Sequence, residues 1–447
     1  MVDESRLKQL SDAALGLTKG YEAELIFSIG ESALTRFGNN VITQNVAQGS
    51  AGVSVRLMKA GRMGKAHTGN LTEKGIASCI AAAKETLEFA APDKELLPLI
   101  SAQTYQQKES YNPATVAFSP EERADGVVRA VNRFKRDDCI GAGIFSSGAS
   151  ALAIANSNGV WAYQQKSDSS FSVTAIDKDS SGWAQAADKD ALAIDIDGIA
   201  ETAARKAVAS RNPQVVKPGE WTVILEPAAV ADALMYLAWV GFSGKPLVEG
   251  RSPFSGKTGQ KVVGENITIV DDAFHPMTPG QPFDYEGMPR KRVSLIEKGV
   301  FVGGVHDRAT GAKAGVASTG HAMPQPDAGG PVPVNLIISG GDKTLEEMIA
   351  STEKGLLVTR LHYTNILDPM KMTITGMTRD GLFLIEKGRV VRGVKNMRFT
   401  ESILTMLANV EMLTSSLYKT ETFWGGGGTV TPAMKVNKFH FTSATEN

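Results

Sequence analysis

The chain has 447 residues, of which 42% are hydrophobic and 21% are charged, a balance typical of a globular protein long enough for several domains. Its formal net charge of −1 excludes a general electrostatic attraction to nucleic acid or anionic lipid, so neither is expected as a partner. The N-terminal sequence lacks the apolar core of a signal peptide, and no run approaches the roughly 20 apolar residues that span a bilayer. We therefore expect a cytoplasmic protein without membrane contact. Its two cysteines, Cys79 and Cys139, are expected to be separate buried thiols.

Residues 1–90 are predicted to form an N-terminal α+β domain. Helical patterns over residues 3–17 and 71–89 enclose a group of strand patterns. The sequence Gly38-Asn39-Asn40 is typical of a hairpin turn between two of these strands. The predicted strands of this domain are residues 22–28, 33–37, 41–47 and 52–58.

A central α+β domain is predicted at residues 115–212. Residues 91–118, which precede and overlap its start, contain proline and have no apolar period, so we interpret them as a linker. Ser119 and Glu122 form a capping box with proline at the first helical position, which predicts a helix to about residue 136. The elements predicted after it are strands at 143–145, 151–156, 160–164, 170–175 and 182–187 and a helix at 196–210.

Residues 218–447 are predicted to form a C-terminal α/β domain, because short strand and helix patterns alternate along them. Four consecutive glycines at 425–428 predict a turn. The whole fold is predicted to be multi-domain α+β, with mixed and antiparallel sheets packed against helices. The elements predicted in this last domain are strands at 221–225, 267–270, 293–297, 372–377 and 382–386 and helices at 228–240, 343–354 and 401–409.

No complete catalytic motif is present. Residues 250–258 (GRSPFSGKT) do not form a phosphate-binding loop, because the first glycine stands one position too early. The six histidines include no HExxH or HExxxH zinc sequence. No GxSxG sequence marks a serine nucleophile.

A few side chains nevertheless make a metal site possible. Asp271, Asp272 and His275 form the tightest cluster of possible ligands, although carboxylates before such a turn more often accept hydrogen bonds from the backbone. Together with His306 and His321 they permit an alternative interpretation, in which the chain is itself a metallopeptidase with non-standard ligands.

Three groups of sequence blocks resemble the TldD/PmbA family, which was once described as modulators of DNA gyrase and is related to metalloproteases. Their order covers nearly the whole chain, and the resemblance implies a TldD/PmbA-like fold. The blocks are residues 51–57 (AGVSVRL) with 61–68 (GRMGKAHT), 252–259 (SPFSGKTG) with 267–272 (ITIVDD), and 283–287 (FDYEG) with 295–299 (LIEKG), 306–308 (HDR) and 318–320 (STG).

The family has two kinds of subunit, and this chain resembles the PmbA or TldE kind, which lacks the HExxxH zinc motif of TldD. A rough alignment places Met235, Tyr236 and Val240 where the first His, the Glu and the second His of that motif would stand. The family's cysteine ligand near the C-terminus is also missing, since no cysteine follows Cys139. The resemblance implies that this chain has no catalytic residue, metal or cofactor, and that zinc belongs to a TldD-like partner.

The resemblance further implies a role in proteolysis as part of a complex. The TldD-like subunit would supply zinc, and this chain would help hold an extended, unfolded or modified peptide by strand addition. A homo-oligomeric scaffold, such as a dimer that binds peptide without a catalytic partner, is the alternative. The candidate peptide contacts are in glycine-rich segments that let another backbone approach closely: Gly303, Gly304, Ser318, Thr319 and Gly320.

Overall fold

A six-stranded antiparallel sheet frames the N-terminal half of the chain, of which the computed structural model describes residues 3–421 and 428–445. Its strands are β1 (Glu22–Gly38), β2 (Val41–Lys59), β3 (Arg62–Thr68), β4 (Ile140–Asn156), β5 (Trp161–Ile176) and β6 (Ser181–Asp188). They pair in the order β3-β2-β1-β4-β5-β6. The two strands that come from distant parts of the sequence, β1 and β4, therefore lie side by side at the centre.

The strands of this sheet are longer than the sequence patterns predicted. The segments predicted at 22–28 and 33–37 are both parts of β1, which pairs with β2 along its whole length. The hairpin turn predicted between these strands is confirmed. Asn39 and Asn40 have φ angles of 51° and 62°, and two consecutive positive φ values define the tight turn that matches the twist of a hairpin.

Helices cover one face of the sheet and bury its apolar side chains. They are α1 (Glu4–Gly16), α2 (Glu73–Phe89), α3 (Pro113–Ala117), α4 (Pro120–Lys135) and α5 (Ile196–Ala209). The predicted capping box is confirmed at the start of α4, where Ser119 Oγ accepts the Glu122 N–H and the Glu122 carboxylate accepts the Ser119 N–H. Phe134, Phe145 and Phe171 are buried in the core beneath α4 and α5.

The sheet crosses the boundary that was predicted between the first two domains. Because β1 pairs with β4, strands from residues 1–90 and 115–212 belong to one sheet. The intervening residues 91–118, interpreted as a linker, have little regular structure apart from α3, but they are packed against the rest of the protein. The ring of Tyr105 lies 5.3 Å from that of Phe283, and Tyr105 Oη donates a hydrogen bond to a backbone carbonyl oxygen in the C-terminal part.

The C-terminal part is built around a closed barrel, and the predicted multi-domain α+β class is confirmed. The barrel strands are β7 (Gly219–Leu225), β12 (Lys354–Asp368), β13 (Thr373–Glu386), β15 (Met397–Ser402) and β19 (Met434–Ala444), with β14 (Arg389–Gly393) and β16 (Val410–Leu413) attached. They pair in the order β12-β7-β19-β15-β13, and pairing of β12 with β13 closes the ring.

A smaller mixed sheet lies beside the barrel. Its strands are β8 (Ile269–Asp271), β9 (Val293–Glu297), β10 (Val300–Phe301), β11 (Leu336–Ile338), β17 (Tyr418–Glu421) and β18 (Gly428–Thr431). They pair in the order β10-β9-β8-β11-β18-β17. Of the glycine turn predicted at 425–428, residues 425–427 lie outside the described residues, and Gly428 is the first residue of β18.

The helix predicted at 228–240 is present but changes its geometry near the end. It consists of α6 (Pro227–Tyr236) followed by a π-helical turn (Leu237–Gly241). Leu234 and Leu237 are fully buried. Trp239, in contrast, is 47% exposed. The π turn alters the angular spacing of side chains, and Trp239 faces outward.

The other helices are short. They are α7 (Gly244–Val248), α8 (Arg308–Ala314), α9 (Leu345–Ala350) and α10 (Ile403–Ala408). The helices predicted at 343–354 and 401–409 are therefore shorter than expected, and residue 354 already begins β12. Throughout residues 3–421 and 428–445, no helix combines the length and apolar character needed to cross a membrane.

Candidate functional site

A cavity of about 610 Å³ lies between the N-terminal sheet and the C-terminal barrel. One wall is formed by β4, β5 and β6, a second by α6, and a third by the distal half of β12. This volume is within the range of pockets that hold small ligands, and interfaces between domains are common places for such pockets.

The wall formed by the sheet consists of uncharged side chains, and the alternation of side chains along each strand decides which of them face the cavity. On β5, Phe171 points into the core beneath the helices, so Ser170 and Ser172 on either side of it line the cavity. Gln185 Nε2 donates to Ser170 Oγ at 3.3 Å, and Trp183 Nε1 donates to Ser172 Oγ at 3.0 Å. Both hydroxyl protons are therefore available to a ligand.

The helix wall contributes a single acidic side chain. The α6 sequence PAAVADALMY is apolar except for Asp232 and the terminal tyrosine. Ala228, Asp232 and Met235 line the cavity, at the spacing of one helix face. Burial raises the pKa of Asp232 to about 7, although the nearby charge of Arg360 acts in the opposite direction. The carboxyl is therefore divided between its protonated and ionised forms near neutral pH.

Arg360 forms an ion pair with Asp380, a carboxylate that Arg379 also approaches at 3.8 Å. Arg360 Nε donates to Asp380 Oδ2 at 2.9 Å, and Ser181 Oγ donates to Asp380 Oδ1 at 2.8 Å. The guanidinium lies 4.7 Å from the centroid of the Trp183 ring, a distance at which a cation is attracted to the face of an aromatic ring. Strands β6 and β13 thus hold Arg360 at the edge of the cavity.

Strand β12 is distorted where it reaches the mouth of the cavity. Its pairing with β13 shifts register between His362 and Asn365, and Tyr363, which lies within this bulge, has a φ of 49°. The left-handed region is rare for a bulky residue and costs about 1–3 kcal/mol. Tyr363 is 74% exposed and its ring centroid lies 4.4 Å from that of His362. Strained backbone of this kind clusters at functional sites.

The three positions assigned to the degenerate zinc motif have different surroundings. Met235 lines the cavity. Tyr236 is buried, and its Oη donates to the carbonyl oxygen of Thr364. Val240 lies in the π-helical turn, partly buried against the barrel core. Their thioether, phenol and isopropyl groups do not belong to the His, Cys and carboxylate donors that zinc takes in proteins.

Asp271 and His321 are brought together although they are 50 residues apart, and both are fully buried. His321 Nε2 lies 2.9 Å from Asp271 Oδ1, and Asp271 Oδ2 accepts the Asn335 N–H at 2.7 Å. Burial acts to raise the pKa of Asp271, but the charge and hydrogen bond of His321 outweigh it and lower the pKa. On its other side, His321 Nδ1 lies 2.9 Å from Thr319 Oγ1. The pair therefore links Asp271, the last residue of β8, to the loop that contains Thr319 and His321.

The remaining possible ligands do not join this pair in a metal site. Asp272 accepts the Phe274 N–H at 2.8 Å, the backbone contact that the loop interpretation favoured, and His275 Nδ1 accepts the Met277 N–H at 3.3 Å. His306 is buried with its Nδ1 3.3 Å from a threonine hydroxyl. Within the described part of the chain, no group of three or more His, Cys, Asp or Glu side chains is arranged to hold a metal. The donors present do not fit a zinc ion.

The five candidate peptide contacts do not line the cavity: Gly303, Gly304, Ser318, Thr319 and Gly320. A Cβ at Gly320 would lie 2.4 Å from the carbonyl oxygen of Pro289, and one at Gly304 would lie 2.5 Å from that of Phe242. The close backbone approach at these two glycines is thus made by the protein's own loops. Gly303 has open space around it.

Most cavity residues were missed by the sequence analysis, and Met235 is the exception. One usable signal was the lone acidic residue Asp232 in an otherwise apolar helix pattern. A second was the alternation of serine and phenylalanine at 170–172, which marks a strand with one apolar and one polar face. Arg360 and Tyr363 gave no signal, because their roles depend on an ion pair and a bulge that only the folded chain creates.

Comparison with known proteins agrees with the resemblance in sequence. Three family models of PmbA/TldA metallopeptidase domains match this chain: domain 1 at residues 23–87, the central domain at 116–211 and the C-terminal domain at 218–443. Metalloprotease PmbA of Escherichia coli O157:H7 is 23% identical, over 97% of this chain and 95% of that protein. A metalloprotease TldD homolog of Haemophilus influenzae is 25% identical, but the match spans 48% of this chain and 45% of that relative.

A solved structure shows the same fold. The crystal structure of TldE from Thermococcus kodakarensis superposes with a TM-score of 0.89 at 23% sequence identity, over 98% of this chain and 100% of that one. The superposed part therefore includes both the N-terminal sheet and the C-terminal barrel.

Proposed function

The chain belongs to the TldD/PmbA metallopeptidase family, and on this premise we propose that it is a non-catalytic, zinc-free subunit that holds an extended peptide for a zinc-bearing, TldD-like partner. Unfolded or modified peptides are the proposed substrates. The observation that carries the proposal is the cavity beside α6, which offers groups that bind peptide but no set of zinc donors.

The cavity wall suits a peptide backbone. A peptide presents one N–H and one C=O group at most residues, and these need neutral donors and acceptors. The hydroxyls of Ser170 and Ser172 and the amide of Gln185 supply both kinds of group. Met235 and Trp183 add apolar surface for a side chain. Such a site holds many sequences, because it binds mainly the features that all peptides share.

The names of the relatives support a complex of two related subunits. The structural neighbour is called TldE, and one relative is called a TldD homolog. A dimer of this chain with itself is the competing assembly. Native mass measurement of this chain with and without a TldD-like protein from the same organism separates them: a mixed species supports the proposal, whereas persistence of the self-assembled species alone favours a peptide-binding scaffold.

Peptidase activity on an unfolded protein tests the proposal. This chain alone should cleave nothing, and it should raise the activity of the TldD-like protein. Ala228→Phe places a large ring in the cavity and should reduce that gain, because Ala228 lines it. Ala82→Phe, the same change on the exposed face of α2, is the matched control and should leave the gain intact. Cleavage by this chain alone, or equal gains with both variants, would contradict the proposal.

A further inference from the structure

We propose that the cavity binds a peptide through a carboxylate group, which forms an ion pair with Arg360 while Asp232 is protonated. The carboxylate belongs to the C-terminus of the peptide or to an acidic side chain. The inference rests on the proposed function only in taking a peptide as the ligand, and it requires neither zinc nor a partner subunit.

Two arginines and one aspartate lie where β12 reaches the cavity. Arg360 Nε donates to Asp380 Oδ2 at 2.9 Å, and Arg379 Nε lies 3.8 Å from the same oxygen. Two cations thus face one carboxylate, and one positive charge is left over. Asp232, on which the charge of Arg360 acts, balances it only when it is ionised. This end of the cavity is therefore neutral when Asp232 is ionised and positive when Asp232 is protonated.

The surroundings of His362 show the same excess of positive charge. His362 lines the cavity together with Arg360. Burial lowers the pKa of His362, and the charges of Arg379 and Arg360 lower it further, each more strongly than Asp380 raises it. The imidazole is therefore neutral at pH 7 and above, and the charges beside it favour an anion over a cation.

Arg360 keeps hydrogen-bond donors for such an anion. Its Nε and Nη2 both donate to Asp380, and its guanidinium lies 4.7 Å from the centroid of the Trp183 ring. Its Nη1 carries two N–H groups and makes no hydrogen bond to residues 3–421 or 428–445. Because Arg360 lines the cavity, these groups remain for a ligand, and arginine forms strong, charge-assisted hydrogen bonds with carboxylates.

The other walls of the cavity also suit a carboxylate. An ionised carboxylate has about four acceptor sites and no donor. The hydroxyl protons of Ser170 and Ser172 and the O–H group of protonated Asp232 are donors that line the cavity. A divalent metal would require several carboxylates or imidazoles, and the described residues provide no such group. The site therefore favours a carboxylate over a metal ion.

Binding of the ligand should be coupled to protonation of Asp232. Because burial raises the pKa of Asp232 to about 7, the acid is mostly protonated below pH 7 and must take up a proton when the ligand binds above it. Affinity should therefore fall by up to about tenfold per pH unit above pH 7. The carboxylate of the ligand stays ionised throughout this range, since its pKa is near 4.

The other charged groups beside α6 do not take part. Glu226, at the start of the helix, pairs with Lys206. On β17, Thr420 lines the cavity, whereas its neighbour Lys419 acts on Lys108 outside the cavity. Strand β18, which also packs against α6, consists of uncharged residues.

Titration calorimetry with the complete, purified chain tests the inference. The ligands are a short N-acetylated alanine peptide with a free C-terminus, the same peptide with a C-terminal amide, and that amide with one glutamate in place of an alanine. We expect amidation to weaken binding by about 10- to 100-fold. Affinity restored by the glutamate assigns the site to any peptide carboxylate, and affinity that stays weak assigns it to the C-terminus.

Three substitutions test the roles of the two residues. Asp232→Asn imitates the protonated acid, so it should keep the preference for a free C-terminus but lose the fall in affinity above pH 7. Arg360→Gln should remove the preference. Arg389→Gln, at an exposed position on β14, is the matched control and should keep both the preference and the pH dependence.

The comparison of free and amidated peptides uses the unchanged protein, so it stands even if Arg360→Gln folds poorly. Equal affinity for all three peptides, or absence of binding by any of them, would overturn the inference. A preference that persists in a folded Arg360→Gln variant, or that disappears in a folded Asp232→Asn variant, would also overturn it. Because the measurement involves no peptidase and no partner, its result is independent of whether this chain raises the activity of a TldD-like protein.

Discussion

Asp232 makes the stability of the chain depend on pH in a direction opposite to that of most carboxylates. Its pKa is raised from 3.8 to about 7 by burial, so the folded state binds more protons than the unfolded state between these values. Stability therefore falls as pH rises through this window. In Asp232→Asn the side chain is neutral at every pH, so the melting temperature of the variant relative to the native chain should increase from pH 5 to pH 8. Circular dichroism measures this difference, and a constant or decreasing difference would contradict the assignment.

The buried pair of Asp271 and His321 is expected to be a structural contact. His321→Ala removes the imidazole partner of a fully buried carboxylate, and breaking a buried pair typically costs about 3–5 kcal/mol. His67→Ala, at an exposed position on β3, is the matched control and should change the free energy of unfolding by less than about 0.5 kcal/mol. Urea unfolding provides both values. Similar values for the two variants would show that the pair does not stabilise the fold.

At the scale of secondary-structure elements, the bulge in β12 predicts that substitution of Tyr363 by glycine affects stability differently from the same substitution elsewhere on the strand. Glycine accepts a positive φ without strain, so Tyr363→Gly should have little effect on stability or raise it by up to about 1 kcal/mol. Leu367→Gly lies on the same strand at an exposed position with ordinary φ and should lose about 0.5–1 kcal/mol. Chemical unfolding compares the pair, and an equal loss in both variants would argue against strain at Tyr363.

Caps and turns that depend on a few neighbouring residues could be predicted from the sequence. The lengths of the strands could not. The Ser119–Glu122 capping box and the turn at Asn39 and Asn40 depend on hydrogen bonds and φ angles within a few residues, and both are present. Strand β1 was predicted in two pieces because polar residues near Glu31 interrupt the apolar pattern. The chain remains extended there, since β2 and β4 flank it on both sides. Asp232 was missed, because its environment depends on strands far away along the chain.

At the scale of the whole molecule, the α+β class and the family followed from the sequence, whereas the cavity did not. Its walls come from β4–β6, α6 and β12, which no sequence period connects. They meet because β1 and β4 join distant segments into one sheet and because residues 91–112 pack between that sheet and the C-terminal part. The cavity therefore depends on how the two halves are held together.

The zinc content of the purified chain tests the central proposal most directly. This chain and a TldD-like protein should be produced and purified in parallel, with zinc in the growth medium and no chelator, and analysed by mass spectrometry of the metal. We predict stoichiometric zinc in the TldD-like protein and only traces in this chain. Stoichiometric zinc bound to this chain, lost together with peptide hydrolysis when a chelator is added, would contradict the proposal.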